Sequence, residues 1–426
     1  MSLGNLEPHP SGYRALLLFL FSLGNYALMY VANILLARSL KVNEFDDYNV
    51  AISVVTMLST LATLGLEKYA LRAIPLFKVR QDWEKFRGFW LFSIKIIAGF
   101  SLFLFFFLSG SLEAILALRS NDYHIAIVIY AVFLPVIAVS LFLVEVISAQ
   151  GAQILSIAVY RLFLPLLYVL LIGGFVQKQI GLTATIAVLC YGAAWISSFG
   201  LLWLIANSLI TSEIKQAIPL KFPKKWLGRS LPLVFNSLMM TIITSSGVII
   251  LEILFPSSTA VGTYAVAIQT GGFLSLIGTS TNRYYLPSFV VLIEQNNKEK
   301  MVHLIKQRML VLGGLILGLF VLIIVFAHQL LAFFGDEFSD GYMSLIIIAV
   351  GASFSGLFAD MPYILQYMGY NKFVLGLTCS ATLSMLSLGF YFGSLYGTVG
   401  VAIAYALPVV IIFLIFRITT GFLIRA

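Results

Sequence analysis

The chain has 426 residues, of which 60% are apolar and only 10% are charged. Soluble domains usually carry about 25% charged residues. One bilayer-spanning helix uses about 20 mostly apolar residues, so the apolar content is enough for about twelve spans. This balance excludes a soluble enzyme, a secreted disulfide scaffold and a disordered protein. It predicts an all-α, multi-pass membrane protein.

Taken in chain order, the apolar runs predict twelve transmembrane helices, whose ends are defined only to within a few residues. They lie at residues 15–37, 48–66, 88–108, 124–148, 154–174, 181–207, 232–254, 262–282, 309–327, 342–364, 373–392 and 399–416. With the N-terminus inside, the cytoplasmic segments hold 20 of the 26 Lys and Arg residues and the outside segments hold four. Short basic loops resist translocation, so we expect both termini in the cytoplasm.

The basic balance therefore has a topological cause and does not indicate a nucleic-acid partner. The formal net charge is +8, and most of the excess lies in the segments predicted to be cytoplasmic. Cys190 and Cys379 both lie in apolar runs, which indicates neither a disulfide framework nor a structural zinc site. The chain has no GxxxxGK[ST], HExxH or GxSxG motif. We expect no enzymatic activity, no metal and no cofactor.

An internal repeat relates the two halves of the chain. Its matched stretches are Phe45–Tyr48 with Val261–Tyr264, Leu71–Pro75 with Asn282–Pro287, Ala149–Gly151 with Tyr367–Gly369, and Ile180–Ala187 with Val399–Ala406. The offsets run from 212 to 219 residues, in the same order along both halves. We expect an N-terminal six-helix lobe at 1–212, a cytoplasmic linker at 213–231 and a C-terminal six-helix lobe at 232–426.

Six spans per lobe give both halves the same orientation, so an axis along the membrane normal should relate them. Transporters that work by alternating access use this design, with a site between the repeats. A duplicated scaffold without a transport role is the alternative.

Charged residues inside the predicted spans are the first candidates for function. They are Lys95, Glu145, Arg161, Glu252 and Asp360. Each would cost about 2.5–3.5 kcal/mol at a helix centre, so a protein-facing position is the default expectation. All but Glu252, which is expected at the outer interface, lie about 5–10 Å from the cytoplasmic ends of their spans. We expect a polar layer that pairs when the inner mouth is closed and meets an anionic headgroup when it opens. Static ion pairing or snorkelling is the alternative.

Two groups of residues outside this layer are further candidates. Arg72 and Arg283 occupy corresponding places in the two halves and could attract phosphate through forked hydrogen bonds, although topology anchoring explains them equally well. Polar residues within spans could line a cavity and bind sugar hydroxyls, or could join helices to one another. These are Asn25, Asn33, Asn236 and Gln269.

Several stretches then resemble one family. The segments 32–75, 261–289, 333–351, 367–372 and 395–407 resemble the bacterial polysaccharide-transport flippases for O-antigen and exopolysaccharide. These belong to the multidrug/oligosaccharidyl-lipid/polysaccharide exporter superfamily. The resemblance implies two six-helix lobes around a V-shaped inter-lobe cavity. It also implies the flipping of undecaprenyl-diphosphate-linked oligosaccharide repeat units across the inner membrane by alternating access.

On this resemblance, Arg161, Lys95, Arg72 and Arg283 are candidates for binding the headgroup, and Asp360 and Glu145 for gating or ion coupling. The expected partners are the lipid-linked oligosaccharide and membrane lipids. A coupling proton or sodium ion and other polysaccharide-assembly proteins are open possibilities. The first alternative is a cation-coupled multidrug exporter on the same fold. A glycan polymerase or ligase, or a non-transporting assembly protein, are the others.

Overall fold

The computed structural model describes residues 12–118, 125–178, 181–256 and 259–425, and every regular element in these ranges is helical. The helices are α1 Gly12–Ser39, α2 Val42–Ala62, α3 Leu66–Val79, α4 Trp83–Leu118, α5 Ile125–Ala131, α6 Leu134–Ile147, α7 Gln153–Ala158, α8 Leu164–Gln177, α9 Ala184–Leu209, α10 Ser212–Gln216, α11 Pro223–Leu254, α12 Ala260–Glu294, α13 Lys298–Val325, α14 Ala327–Ala332, α15 Tyr342–Leu357, α16 Met361–Tyr367 and α17 Asn371–Arg425. Wider π-helical turns at Ser148–Ala152 and Val159–Phe163 flank α7, and a 3₁₀ turn at Asp336–Gly341 precedes α15.

Ten helical segments of the described chain are long and apolar enough to cross a membrane. Two of them are long enough for two crossings, since Leu134–Gln177 has 44 residues and Asn371–Ile424 has 54. They would measure about 66 and 81 Å, against about 30 Å of hydrocarbon. Each is broken by a glycine with positive φ, at Gly151 (102°) and Gly397 (57°), a conformation that glycine adopts without a steric penalty. The ten segments therefore hold the twelve predicted spans, and the all-α, multi-pass class is confirmed.

Several helices extend beyond the apolar runs that predicted them. The ninth span was expected to begin at residue 309, but α13 begins at Lys298. The segment after the second span was expected to be a loop, but it forms α3. Apolar composition marks only the part of a helix that lies in hydrocarbon, whereas backbone hydrogen bonding continues into the polar interface. This difference matters for the site, because it brings charged residues into packed helices.

The helices form two compact units, which we call unit N (Ala27–Gly262) and unit C (Met1–Tyr26 with Thr263–Ala426). The compact units follow packing and the predicted lobes follow the sequence repeat, so the lobe boundaries at residues 212 and 232 stay a prediction. Each unit includes helical residues from the opposite half of the sequence. Unit N contains α11, and unit C contains the first part of α1.

In unit N, α2 packs against α11, and α6 packs against α4 and α9. Large side chains that are less than 2% exposed fill this core: Phe45, Tyr48, Phe86, Phe89, Phe142 and Tyr168 are among them. Gly65, at φ +71°, allows α11 to approach closely, because a Cβ there would lie 2.3 Å from the carbonyl oxygen of Ser230.

In unit C, α15 packs against α13 and α17. Its largest fully buried side chains are Tyr264, Phe289, Phe334, Phe338, Phe416 and one arginine, Arg308. Gly278 on α12 and Gly356 on α15 meet backbone to backbone, since a Cβ on Gly278 would lie 1.8 Å from the carbonyl oxygen of Gly356. Small residues permit such close approach between membrane helices, where packing is a main source of stability.

Candidate functional site

Four charged side chains are buried in the described part of the chain: Asp46, Glu67, Arg308 and Asp360. Only Asp360 was among the residues expected from the sequence. The other three lie one or two residues outside the predicted spans 48–66 and 309–327. Because span ends are uncertain by a few residues, a search that included the flanking positions would have found all three.

Arg308 forms the densest polar cluster among the described residues. The side chains of Arg308 and Asp360 form an ion pair and are only 1% and 0% exposed. The Nη1 group of Arg308 donates to Asp360 Oδ1 and to the carbonyl oxygen of Leu357 at 3.2 Å. The Nη2 group donates to Asn282 Oδ1 at 2.9 Å and to the carbonyl oxygen of Gly278 at 3.3 Å. We call these five residues the Arg308 cluster.

The cluster joins four helices of unit C. Arg308 belongs to α13, Gly278 and Asn282 to α12, Leu357 to the end of α15, and Asp360 immediately precedes α16. The Asn282 amide also donates to the carbonyl oxygen of Ala359 at 3.0 Å. A buried ion pair is tolerated when further hydrogen bonds satisfy its polar atoms. The cluster supplies them to both Nη groups of Arg308, whereas Arg308 Nε and Asp360 Oδ2 are buried without a hydrogen-bond partner. In this conformation Arg308 holds the helices together and is sealed from any ligand.

In unit N, Glu145 forms an ion pair that is less buried than the Arg308–Asp360 pair. Glu145 Oε1 lies 3.5 Å from Lys68 Nζ, and the two side chains are 18% and 45% exposed. The buried carboxylate of Glu67 lies within electrostatic range of both residues. This pair is therefore accessible, in contrast to the sealed pair in unit C.

The two sets of residues correspond through the repeat. At an offset of 215 residues, Glu67 aligns with Asn282, Lys68 with Arg283, Ser93 with Arg308, and Glu145 with Asp360. Unit C thus has an arginine on α13 where unit N has a buried serine on α4. The two ion pairs therefore differ in burial: the pair in unit C is fully buried, and the pair in unit N is partly exposed.

Replacing Glu145 with glutamine is expected to lower the free energy of unfolding by less than about 1 kcal/mol, because partly exposed ion pairs contribute little. Thermal unfolding of the purified protein in detergent measures this change. Gln153→Ala, near the same end of unit N, is a neutral control. A loss of several kcal/mol in Glu145→Gln would contradict the open character of the pair.

The structure does not bring the four expected members of the polar layer together in pairs. The acids Glu145 and Asp360 pair with Lys68 and Arg308, which lie outside the predicted spans. Lys95 is exposed on α4, and within the described residues it forms no ion pair. Arg161 is half-buried in the π-helical turn after α7, and its guanidinium carbon lies 5.9 Å from the ring centre of Tyr160. It too has no acidic partner in the ranges described.

The remaining sequence candidates are placed as follows. Arg72 is exposed on α3, and Arg283 lies in α12 with its side chain outside the described residues. The four polar candidates for a cavity lining are each half-buried: Asn25 and Gln269 in unit C, and Asn33 and Asn236 in unit N. Half-burial fits both a cavity lining and a helix–helix contact. The roles of these residues stay predictions.

Asp46 has a structural role at the opposite end of unit N. Its Oδ1 accepts a 2.7 Å hydrogen bond from the backbone N–H of Gly262, in the first turn of α12. The first N–H groups of a helix have no partner within the helix, and a carboxylate there is favoured by the helix dipole. Glu252, which was expected to be interfacial, is half-buried and lies within electrostatic range of Asp46.

Comparison with solved structures defines the class of protein to which this fold belongs. An inward-facing multidrug resistance MATE family transporter of the MOP superfamily superposes with a TM-score of 0.73, at 13% identity, over 97% of this chain and 99% of that one. A MOP superfamily transporter from Pyrococcus furiosus gives 0.70 at 13% identity, over 97% and 95%. A Vibrio cholerae MATE transporter gives 0.65 at 16% identity, over 96% and 95%. The chain has the multi-pass membrane fold of these transporters.

The particular family follows from the sequence match. Residues 13–290 match the family model described as polysaccharide biosynthesis protein. This chain belongs to that family, as its resemblance to the polysaccharide-transport flippases implied. None of the curated proteins matches it significantly.

Proposed function

We propose that the protein flips undecaprenyl-diphosphate-linked oligosaccharide repeat units across the bacterial inner membrane by alternating access, for O-antigen or other surface polysaccharide. The observation that carries the proposal is a transporter fold in a chain of a polysaccharide biosynthesis family. Sugar units assembled on a cytoplasmic lipid must cross the membrane before they reach the cell surface. A protein with this fold moves its substrate without making or breaking a bond.

Several cations of the chain are free to bind an anionic headgroup, which supports a diphosphate-linked substrate. Lys95 and Arg72 are exposed, and Arg161 is half-buried with no acidic partner among the described residues. Such side chains can meet a diphosphate without first breaking an ion pair. Arg283 is proposed for the same role from its position in the repeat. Arginine suits phosphate because its planar fork donates two parallel hydrogen bonds.

Glu145 and Asp360 are proposed for gating or ion coupling, and the two differ in accessibility. Glu145 is 18% exposed and pairs with Lys68, which is 45% exposed. Glu145 can therefore release Lys68 and bind a proton or a sodium ion instead. Asp360 is fully buried, so it can do so only when the helices joined by the Arg308 cluster separate. We propose that Glu145 binds the coupling ion before Asp360 does.

Vesicles containing the purified protein test the function directly. A fluorescent undecaprenyl-diphosphate oligosaccharide in the outer leaflet should become protected from a membrane-impermeant quencher when the protein is present. Cells depleted of the protein should retain lipid-linked repeat units on the cytoplasmic leaflet. Normal arrival of these units at the outer leaflet would contradict the proposal. Altered drug susceptibility with unchanged surface glycan would instead favour a multidrug exporter.

Lys95→Gln and Arg161→Gln are each expected to lower the initial rate of flipping by about tenfold, equivalent to about 1.4 kcal/mol. Each removes a cation that the headgroup is proposed to meet. Lys215→Gln is the matched control, because Lys215 is exposed on the short linker helix α10. The vesicle assay measures all three rates. Equal rates for Lys95→Gln, Arg161→Gln and Lys215→Gln would remove these cations from the proposed binding site.

A further inference from the structure

A groove of about 390 Å³ lies between α13 and α15 in unit C. Its walls are almost entirely apolar, and they include Gly313, Leu317 and Phe320 on α13 and Val350, Phe354 and Leu357 on α15. None of the described residues proposed for headgroup binding or ion coupling lines this groove. It is open on one side, so a ligand can enter from the surrounding medium.

The groove has space beside α13 because residue 313 is a glycine. A Cβ added to Gly313 would reach only Leu357 Cδ1, at 3.7 Å, so a larger side chain would occupy the groove itself. The adjoining face of α13 exposes large apolar side chains, with Leu310 78% and Leu317 62% exposed. In a membrane-spanning helix such a face is stable against hydrocarbon, which gives the groove apolar surroundings.

A cation lies on the same face of the same helix. Lys306 is exposed and precedes Gly313 by seven residues, which places it two helical turns, or about 10.5 Å, closer to the basic end of α13. The groove continues from Gly313 to Phe320, about 10 Å further into the membrane. A ligand that matches this face of α13 has an apolar chain that lies in the groove and a negative charge that lies beside Lys306.

The wall of the groove is rigid at the end nearest the cation. Leu357 lines the groove, and its carbonyl oxygen accepts a hydrogen bond from the buried Arg308 at 3.2 Å. The Arg308 cluster therefore holds α13 and α15 at a set separation. A preformed groove binds a flexible chain with less ordering of the protein than a collapsed one.

We propose that this groove binds the first part of the polyprenyl chain of the lipid-linked substrate, with the diphosphate beside Lys306 before it passes to the headgroup cations proposed above. A phospholipid would place one of its two acyl chains in the groove and leave the other outside. A polyprenyl diphosphate has a single chain, which matches one groove, and an anionic head, which the adjacent cation attracts. This inference rests on the proposed function and adds where the lipid tail of the substrate is held.

The test measures binding of two probes to the full-length protein in lipid nanodiscs, undecaprenyl diphosphate and undecaprenol. Gly313→Leu fills the groove and should weaken both probes by about tenfold, or about 1.4 kcal/mol. Ser353→Leu fills it from the opposite wall and should act in the same direction. Gly314→Leu is the matched control, because a Cβ there meets nothing within 4 Å. Lys306→Gln should weaken undecaprenyl diphosphate by about fivefold and leave undecaprenol unchanged.

Wild-type affinity for undecaprenyl diphosphate in both folded Leu variants would overturn the tail site. So would an equal loss for phosphatidylglycerol, because the groove would then be an ordinary lipid site. The vesicle assay separates the two failures. If the wild-type chain flips the oligosaccharide lipid while the Leu variants bind it normally, the groove assignment is wrong and the function stands. If the wild-type chain neither binds nor flips it, both are wrong.

Discussion

Asp360→Ala is expected to lower the free energy of unfolding by about 3–5 kcal/mol, one of the two largest effects in the chain. The guanidinium of Arg308 is 1% exposed, so it would be left buried without its counter-charge. Its hydrogen bonds to Asn282 and to the carbonyl oxygens of Gly278 and Leu357 satisfy N–H groups but do not neutralise the charge. Thermal and denaturant unfolding of the purified protein in detergent measure the loss.

The double variant Arg308→Met/Asp360→Leu should recover much of this stability, because apolar residues of similar volume often replace a buried ion pair at little cost. Lys85→Gln is the matched control. The Lys85–Asp82 pair has a shorter distance than Lys68–Glu145, at 2.9 Å, but its side chains are 37% and 31% exposed. Its loss should therefore cost less than about 1 kcal/mol. Equal effects of Asp360→Ala and Lys85→Gln would contradict the role assigned to burial.

The same double variant separates a structural role from a coupling role for Asp360. If Asp360 takes part in gating or ion coupling, the folded double variant should bind the oligosaccharide lipid but fail to flip it in vesicles. Flipping at the wild-type rate would show that the ion pair only holds helices together. Coupling would then be assigned to Glu145 alone.

Gly278→Leu is expected to prevent folding or to cost about 3 kcal/mol or more, which exceeds the usual range for overpacking. A Cβ on Gly278 would lie 1.8 Å from the carbonyl oxygen of Gly356, so the obstacle is backbone and cannot rotate away. Separating α12 from α15 would also break the hydrogen bond that the carbonyl oxygen of Gly278 accepts from Arg308. The folded yield after size-exclusion chromatography and the melting temperature measure the effect.

Gly272→Leu is the control for this variant. It makes the same substitution less than two turns away on α12, where a Cβ meets nothing within 4 Å. It should leave the folded yield close to that of the wild-type chain. Gly278→Ala should be intermediate, because one methyl group already overlaps the facing carbonyl. A Gly278→Leu variant as stable as Gly272→Leu would show that the two helices can separate freely.

The positions of the buried charges show where prediction from the sequence reached its limit. Asp360 lies inside an apolar run, so hydropathy identified it. Arg308 and Glu67 lie one residue outside their predicted spans, so hydropathy places them in loops. Hydropathy responds to the composition of a window, whereas burial depends on which helices surround a given side chain. Arg308 is buried because α12, α15 and the start of α16 all meet at its position.

The sequence by itself determined the class, the number of crossings and the duplication, because these depend on the supply and spacing of apolar residues along one chain. It also placed the two turns at Gly151 and Gly397, where single helical segments would otherwise be too long for the bilayer. Only the tertiary structure decided which charges are paired, and with which partners. Lys68 with Glu145, Arg308 with Asp360, and Asp46 with Gly262 are each brought together by packing between helices distant in sequence. Local composition carries no information about such contacts.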